Sequence, residues 1–157
     1  MLEEFFNRTV MHIALVNEIG AKLLPLIADQ QPFLKQLKEH DASKFGEIEK
    51  IPYIHLTWFY KQKQKGVVYK YPDTMKDRID VARLHHIKTN CHHPESFEKV
   101  SDMPLNCLAE MVADWAAMSV ELNTSLLEWS EKTVPKYSFT GQQQLFIKKL
   151  ICLTNLP

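Results

Sequence analysis

The sequence predicts an all-α fold. Apolar residues recur at spacings of three and four through most of the chain, as on the buried face of a helix, and the alternation typical of strands is scarce. Only four glycines occur, which leaves few residues for hairpin turns. With 157 residues, 45% of them hydrophobic, the chain has the size of one ordinary domain, so we expect a single helical domain over residues 1–157.

Prolines and capping residues divide the helical pattern into segments. Pro25 is expected to kink or end the first helix, and Pro32 suits the first turn of the second. Asp73 is a candidate N-cap, and Thr140 with Gln143 fits a capping box. The expected helices cover residues 2–28, 32–40, 47–64, 74–90, 105–122, 124–132 and 142–153, with a loop at 66–72 and an irregular turn at 92–95.

Charge and cysteine usage exclude several classes of protein. The 19 basic residues balance the 19 acidic ones, so no strong positive field marks a general nucleic-acid or membrane binder. No apolar run approaches the roughly 18 to 20 residues of a membrane span, and the chain opens with acids instead of the basic start of a secretory signal. Cys91, Cys107 and Cys152 lack CxxC spacing and are expected to be reduced thiols. We therefore expect a cytoplasmic protein, and the oligomeric state stays open.

The segment from His40 to Lys44 carries the first chemistry. Adjacent imidazole and carboxylate groups, here His40 and Asp41, can bind one metal ion or bridge two from a single stretch of backbone. Lys44 is then placed to meet a phosphate. The alternative is a solvated helix end in which Asp41 caps the next turn.

A second cluster gathers four of the seven histidines within nine positions, namely His85, His86, His92 and His93. On a helix His86 and Asn90 are four residues apart and share a face, and the following turn can bring His92 or His93 back toward the same point. The alternatives are a surface histidine patch and helix C-terminal histidines that face the dipole.

Four further residues are candidates by their surroundings. Asp114 has almost only apolar neighbours and is expected to be buried, so it needs a metal ion, a histidine or a structural ion pair as its partner. Glu110, one turn earlier, is a candidate acceptor for a ligand histidine. His12 lies on the apolar first helix, where a core histidine is the alternative. Glu49 is a candidate acid or base, and a solvent-facing glutamate is its alternative.

His12, the His40-Asp41 pair with Lys44, and the distant Asp114 together resemble the HD-domain superfamily of metal-dependent phosphohydrolases. The fuller pattern of HDASKF, LHH, Asn90, HHPE and EMVADW looks like DUF5662, a small uncharacterised bacterial and phage family, over about residues 8–120. The resemblance implies an HD-like helical bundle. The metal ligands that it implies are His12, His40, Asp41 and Asp114, with His86, His92 and His93 as candidates for the extra ligands of binuclear members.

The resemblance further implies one or two divalent ions per chain, of Mn, Mg, Zn, Co or Fe, and hydrolysis of a nucleotide or another small phosphoester. In that reaction Lys44 offsets phosphate charge and Glu49 acts as an acid or base. His85, His92 or His93, when it is not a ligand, stabilises the transition state or protonates the leaving group. The alternatives are an HD-type di-iron oxygenase and a non-catalytic helical module that binds metal or a partner. No glycine-rich phosphate loop or base-reading motif identifies the substrate.

Overall fold

The computed structural model describes residues 1–154, which contain seven α-helices and no strand. The all-α prediction is therefore confirmed. The helices are α1 Leu2–Leu23, α2 Gln30–Lys38, α3 Lys50–Gln64, α4 Met75–Thr89, α5 Leu105–Leu122, α6 Leu126–Thr133 and α7 Gly141–Thr154. Single turns of 3-10 helix lie at Leu24–Leu26, Ala42–Phe45, Pro94–Ser96, Val100–Asp102 and Val134–Lys136.

The helix boundaries follow the local residues, but α1 ends at Leu23 instead of residue 28, and α3 begins at Lys50 instead of residue 47. α1 ends at Leu23 because Pro25, in the 3-10 turn that follows, has no amide hydrogen for a helical bond. The predicted capping box is confirmed, since the amide of Gln143 donates to Thr140 Oγ1 over 3.2 Å and the amide of Thr140 donates to Gln143 Oε1 over 2.9 Å. The expected cap at Asp73 is wrong. α4 begins one residue later, after Thr74 in the left-handed conformation at a φ of 63°, and no side chain caps it.

The chain forms two compact units. The first contains residues 1–11 and 41–90, and the second contains residues 12–40 together with the described residues from 91 onward. The prediction of a single domain stays a prediction.

The first unit is built on the packing of α3 against α4. The 3-10 turn Ala42–Phe45 lies against both helices. Ile54 on α3 and Ile79 on α4 are buried, and Phe45 meets Phe5 edge-on at a centroid distance of 5.8 Å. Apolar burial of this kind is the main stabilising term, and here it holds α3 and α4 side by side.

In the second unit, the central helix α5 packs against α2, α6 and α7. Leu108, Met111 and Val112 on α5 are fully buried. α1 approaches α2 at Gly20, where an added Cβ would lie 2.5 Å from Leu37 Cδ1. The absence of a side chain at Gly20 therefore permits this approach.

Two cysteines of the second unit depart from expectation. Cys91 and Cys107 form a disulfide with a Cα–Cα distance of 5.5 Å, so the prediction of three reduced thiols is wrong for this pair. The missing CxxC spacing was no guide, because the fold brings together cysteines that are 16 residues apart. Cys152 is free and exposed.

Within residues 1–154, none of the helices combines the length and the apolar character that crossing a bilayer requires.

Candidate metal centre

Three predicted ligands meet in the second unit. His12 comes from α1, His40 follows the end of α2, and Asp114 lies on α5. The Nε2 atom of His12 is 3.0 Å from Asp114 Oδ1 and 3.4 Å from the Nε2 atom of His40. The Nε2 atom of His40 is 3.7 Å from Asp114 Oδ1. Three potential ligand atoms therefore face one point.

Two glutamates on α5 orient the rings of His12 and His40. The Nδ1 atom of His12 lies 2.7 Å from Glu121 Oε1, and the Nδ1 atom of His40 lies 2.7 Å from Glu110 Oε1. A carboxylate only accepts, so each imidazole donates its Nδ1 hydrogen outward and can turn an Nε2 lone pair toward Asp114. Histidines that bind a metal ion commonly donate their other ring hydrogen to a carboxylate, which fixes the orientation of the ring.

The chemistry of the donor set fits a cation. If both histidines are neutral and carry their hydrogen on Nδ1, the two Nε2 lone pairs and the carboxylate are three electron-rich groups that repel one another. A divalent ion, or a proton on one imidazole, removes this repulsion. Ligand atoms about 2.0–2.1 Å from a tetrahedral ion are about 3.3 Å apart, close to the observed separations.

Two more histidines extend the centre. The Nδ1 atom of His92 is 3.2 Å from Glu110 Oε1, and its ring centroid is 4.4 Å from that of His40. The rings of His92 and His93 are 4.3 Å apart. Each of His40, His92 and Glu110 offers one atom within 4.8 Å of the others, which is a second group that could hold a metal ion.

Two carboxyl groups of the centre, those of Glu110 and Asp114, have lowered pKa values. Burial raises the pKa of Glu110, but hydrogen bonds from His40 and His92 outweigh it and lower the pKa to about 2. Burial likewise raises the pKa of Asp114, and hydrogen bonds with His12 and His40 hold it well below its usual value of 3.8. Both groups are therefore anionic at neutral pH, as metal ligands and their supports must be.

Asp114 is the most exposed of the three converging side chains. The expectation that Asp114 is buried is only partly right, because 20% of its side chain is exposed, whereas His40 is fully buried and His12 nearly so. The apolar neighbours that suggested burial point to other faces of α5, since side chains of one helix spread over the whole circumference. Part of the Asp114 side chain is therefore in contact with solvent.

Asp41, predicted beside His40 as a ligand, contacts His86 and Lys44 of the first unit. Its Oδ1 atom is 3.2 Å from His86 Nε2, and its Oδ2 atom pairs with Lys44 Nζ. Asp41 has a φ of 59°, the left-handed conformation that aspartate tolerates better than most residues. Lys44 also lies over the ring of Tyr53, 5.3 Å from its centroid.

Glu49 completes the cluster of the first unit. It is fully buried, so the solvent-facing alternative is wrong. Its Oε1 atom is 2.7 Å from His85 Nδ1 and its Oε2 atom is 3.0 Å from His86 Nδ1. Burial raises the pKa of Glu49, but these histidines lower it below 4.5 overall. His86 thus lies between two carboxylates, and Asn90 contacts its ring at 3.2 Å, as the shared helical face predicts.

The predicted site residues fall into two groups. His12, His40, His92, His93 and Asp114 belong to the second unit, and Asp41, Lys44, Glu49, His85 and His86 belong to the first. Sequence reasoning missed Glu121 and Gln36, which contact His12 and Glu110 respectively. Glu121 follows Asp114 by seven residues, which is two helical turns, and that spacing was the available signal.

Comparison with known proteins gives the family without an activity. The chain matches DUF5662, a family of unknown function, over residues 1–152, and it belongs to that family. No curated protein and no solved structure matches it.

Proposed function

We propose that this protein is an HD-domain-like, metal-dependent phosphohydrolase acting on a nucleotide or another small phosphoester. The observation that carries the proposal is the convergence of His12 Nε2, His40 Nε2 and Asp114 Oδ1, with both imidazoles held by glutamates. The resemblance to the HD-domain superfamily supports the proposal through the order of these ligands along the chain. It also suggests the type of reaction, hydrolysis of a phosphoester.

The donor set favours a particular class of ion. Two imidazoles and one carboxylate suit Zn²⁺, Mn²⁺, Co²⁺ or Fe²⁺, whereas Mg²⁺ and Ca²⁺ prefer oxygen ligands. Three protein ligands are the number usual in catalytic zinc sites, which keep a position for water or substrate. When bound, such an ion polarises a phosphoryl oxygen and acidifies a water ligand.

The residues of the chain supply orientation and proton transfer. Glu121 and Glu110 fix the rings of His12 and His40, which keeps their Nε2 atoms directed at Asp114. We assign protonation of the leaving group to His93, which is partly exposed and packs on His92. Lys44, Glu49 and His85 keep their proposed catalytic roles from the sequence.

One observation favours a second candidate, an HD-type di-iron oxygenase. His40, His92 and Glu110 form a further group of potential ligands that shares His40 with the first. The protein as purified would then contain iron and absorb visible light. A hydrolase loaded with zinc or manganese would not show this absorbance.

The test combines metal analysis with an activity screen. Elemental analysis of the purified protein is followed by removal of metal, reloading with Mn²⁺, Zn²⁺ or Co²⁺, and measurement of phosphate released from nucleotides and simple phosphoesters. We expect hydrolysis with at least one ion, and its loss together with bound metal in His12→Gln. His55→Gln is the matched control, because His55 lies in the first unit and bonds to Tyr69. A His12→Gln protein with undiminished metal content would refute the metal assignment, and a metal-loaded wild type that hydrolyses no phosphoester would refute the activity.

A further inference from the structure

The Cys91–Cys107 disulfide lies next to the metal centre of the second unit. It joins the irregular segment after α4 to the first turn of α5. Cys91 directly precedes His92, and Cys107 precedes Glu110 by three residues, about one helical turn. The disulfide therefore ties together the two segments that carry His92 and Glu110.

Gln36 connects the disulfide to Glu110. Its Nε2 atom donates to Glu110 Oε2, and the same nitrogen is 3.2 Å from Cys91 Sγ and 3.8 Å from Cys107 Sγ. Cys91 Sγ itself is 3.8 Å from Glu110 Oε2. One oxygen of Glu110 thus faces the amide and the sulfur atoms.

The other oxygen of Glu110 faces the histidines. Oε1 is 2.7 Å from His40 Nδ1 and 3.2 Å from His92 Nδ1. Because the carboxylate is rigid and planar, a change on the Oε2 side moves or repolarises the Oε1 side. His40, a proposed ligand, is thereby coupled to the sulfur atoms through a single residue.

We propose that the Cys91–Cys107 disulfide positions Glu110 and His92 beside the metal ligands, so that its reduction weakens binding of the divalent cation. This inference rests on the metal centre of the proposed function and adds its regulation by redox state. Gln36 is the positioning residue between the disulfide and the carboxylate.

Reduction changes both the covalent tie and the hydrogen bonding. A dithiol transfers two electrons and two protons, the Sγ–Sγ bond breaks, two cysteine thiols form, and the dithiol becomes a cyclic disulfide. The segment that contains His92 is then no longer cross-linked to α5 by the disulfide. In addition, the Cys91 thiol gains a hydrogen that it can donate to Glu110 Oε2, in competition with Gln36.

Loss of a partner of a ligand histidine typically lowers metal affinity about 10-fold to 100-fold. Since reduction disturbs Glu110 without removing it, we expect the lower end, about a 10-fold increase in the Kd for Mn²⁺. A disulfide with a purely structural role would lower the melting temperature on reduction and leave the Kd unchanged.

The test measures Mn²⁺ affinity in defined redox states of the full chain. Free Mn²⁺ is followed by electron paramagnetic resonance for the oxidised wild type, for the wild type after dithiol treatment and anaerobic desalting, and for the Cys91→Ser/Cys107→Ser variant. We expect the last two to bind about 10-fold more weakly than the first. Cys152→Ser is the matched control, because Cys152 is free and exposed. It should keep both the oxidised affinity and the response to dithiol.

A spectroscopic measurement separates positioning from folding. The visible spectrum of bound Co²⁺ reports ligand geometry, and we expect it to differ between the oxidised and reduced protein while circular dichroism shows both to be folded. Gln36→Leu in the oxidised protein should change the Co²⁺ spectrum in the same direction.

Three results would overturn the inference. One is the finding of three free thiols in the protein purified without reductant, by alkylation and mass spectrometry. Another is equal Mn²⁺ affinity before and after reduction, which leaves the proposed function intact. The third is an oxidised wild type that binds none of Mn²⁺, Co²⁺ and Zn²⁺, which refutes the proposed metal centre as well.

Discussion

At the scale of single residues, Asp114 separates a metal centre from a structural ion pair. In the metal-free protein its carboxylate faces two imidazoles, with Asp114 Oδ1 3.0 Å from His12 Nε2 and 3.7 Å from His40 Nε2. Asparagine keeps an acceptor and adds an N–H donor for a neutral imidazole. We therefore expect Asp114→Asn to weaken Mn²⁺ binding more than about 100-fold, beyond the usual loss for an outer-shell partner. The stability of the chelated protein should change little.

The measurement is a pair of melting curves, with and without chelator, and Asp102→Asn serves as an exposed control. If Asp114 is instead one half of a structural ion pair, Asp114→Asn should destabilise the protein, because a buried histidine would lose its partner. A loss of about 3–5 kcal/mol that chelator does not alter would assign Asp114 to structure.

Glu121 tests whether the outer carboxylates act on the metal through the histidines. Glu121→Gln keeps the size of the side chain but removes the charge that accepts from His12 Nδ1 over 2.7 Å. We expect Mn²⁺ affinity, measured by titration, to fall about 10-fold to 100-fold. Glu128→Gln is the matched control, because Glu128 is exposed and pairs with Lys132 one turn away. Equal affinities in the two variants would mean that the glutamate does not support the ligand.

At the scale of helices, Gly20 sets how closely α1 approaches α2. A Cβ at Gly20 would overlap the buried side chain of Leu37, and such overpacking costs about 1–3 kcal/mol. Alanine also favours the helix by about 1 kcal/mol, so we expect a net loss of up to about 2 kcal/mol in the free energy of unfolding. Leu37 precedes His40 by three residues, so metal affinity should fall as well.

Urea denaturation and Mn²⁺ titration check both effects of Gly20→Ala. Gly141→Ala is the control, because a Cβ there meets no atom within 4 Å. Unchanged Mn²⁺ affinity in a destabilised Gly20→Ala protein would show that helix spacing does not control the ligands.

The contacts of His86 on α4 with Asp41 and Glu49 predict that the stability of the protein depends on pH. Burial lowers the pKa of His86, but hydrogen bonds with Asp41 and Glu49 raise it above 6.5 overall. The folded protein then binds this proton more tightly than the unfolded chain. The resulting stabilisation is full below pH 6.5 and is lost as the pH rises through the folded-state pKa. A difference of one pH unit between the two pKa values corresponds to about 1.4 kcal/mol.

Denaturation of the chelated protein between pH 6 and pH 9, roughly the range over which a raised histidine titrates, checks this dependence. We expect unfolding free energy to fall on the alkaline side, and to fall less steeply in His86→Gln. Burial and Arg78 lower the pKa of His55, which gives the opposite sign, so His55→Gln should keep the alkaline fall. If unfolding free energy falls equally steeply with pH in the wild type and in His86→Gln, the dependence does not come from His86.

At the scale of the whole molecule, periodicity and capping residues predicted the helices, because these signals are local. The meeting of His12, His40 and Asp114 was predictable only through a resemblance, since residues 102 positions apart meet through packing that no local pattern records. The disulfide and the contacts of Glu121 were missed for the same reason.

The three proposed ligands come from α1, the end of α2 and α5, so a bound cation links distant parts of the chain. A ligand that binds only the folded state stabilises it, by about 2.7 kcal/mol when its free concentration is 100 times the Kd. We therefore expect Mn²⁺ to raise the melting temperature of the wild type in proportion to the logarithm of its concentration, and chelator to reverse the shift. Asp114→Asn should show no shift, whereas Asp102→Asn should respond as the wild type does. If Asp114→Asn is stabilised as much as the wild type, the cation binds elsewhere, and the three converging side chains are a hydrogen-bonded network of the core.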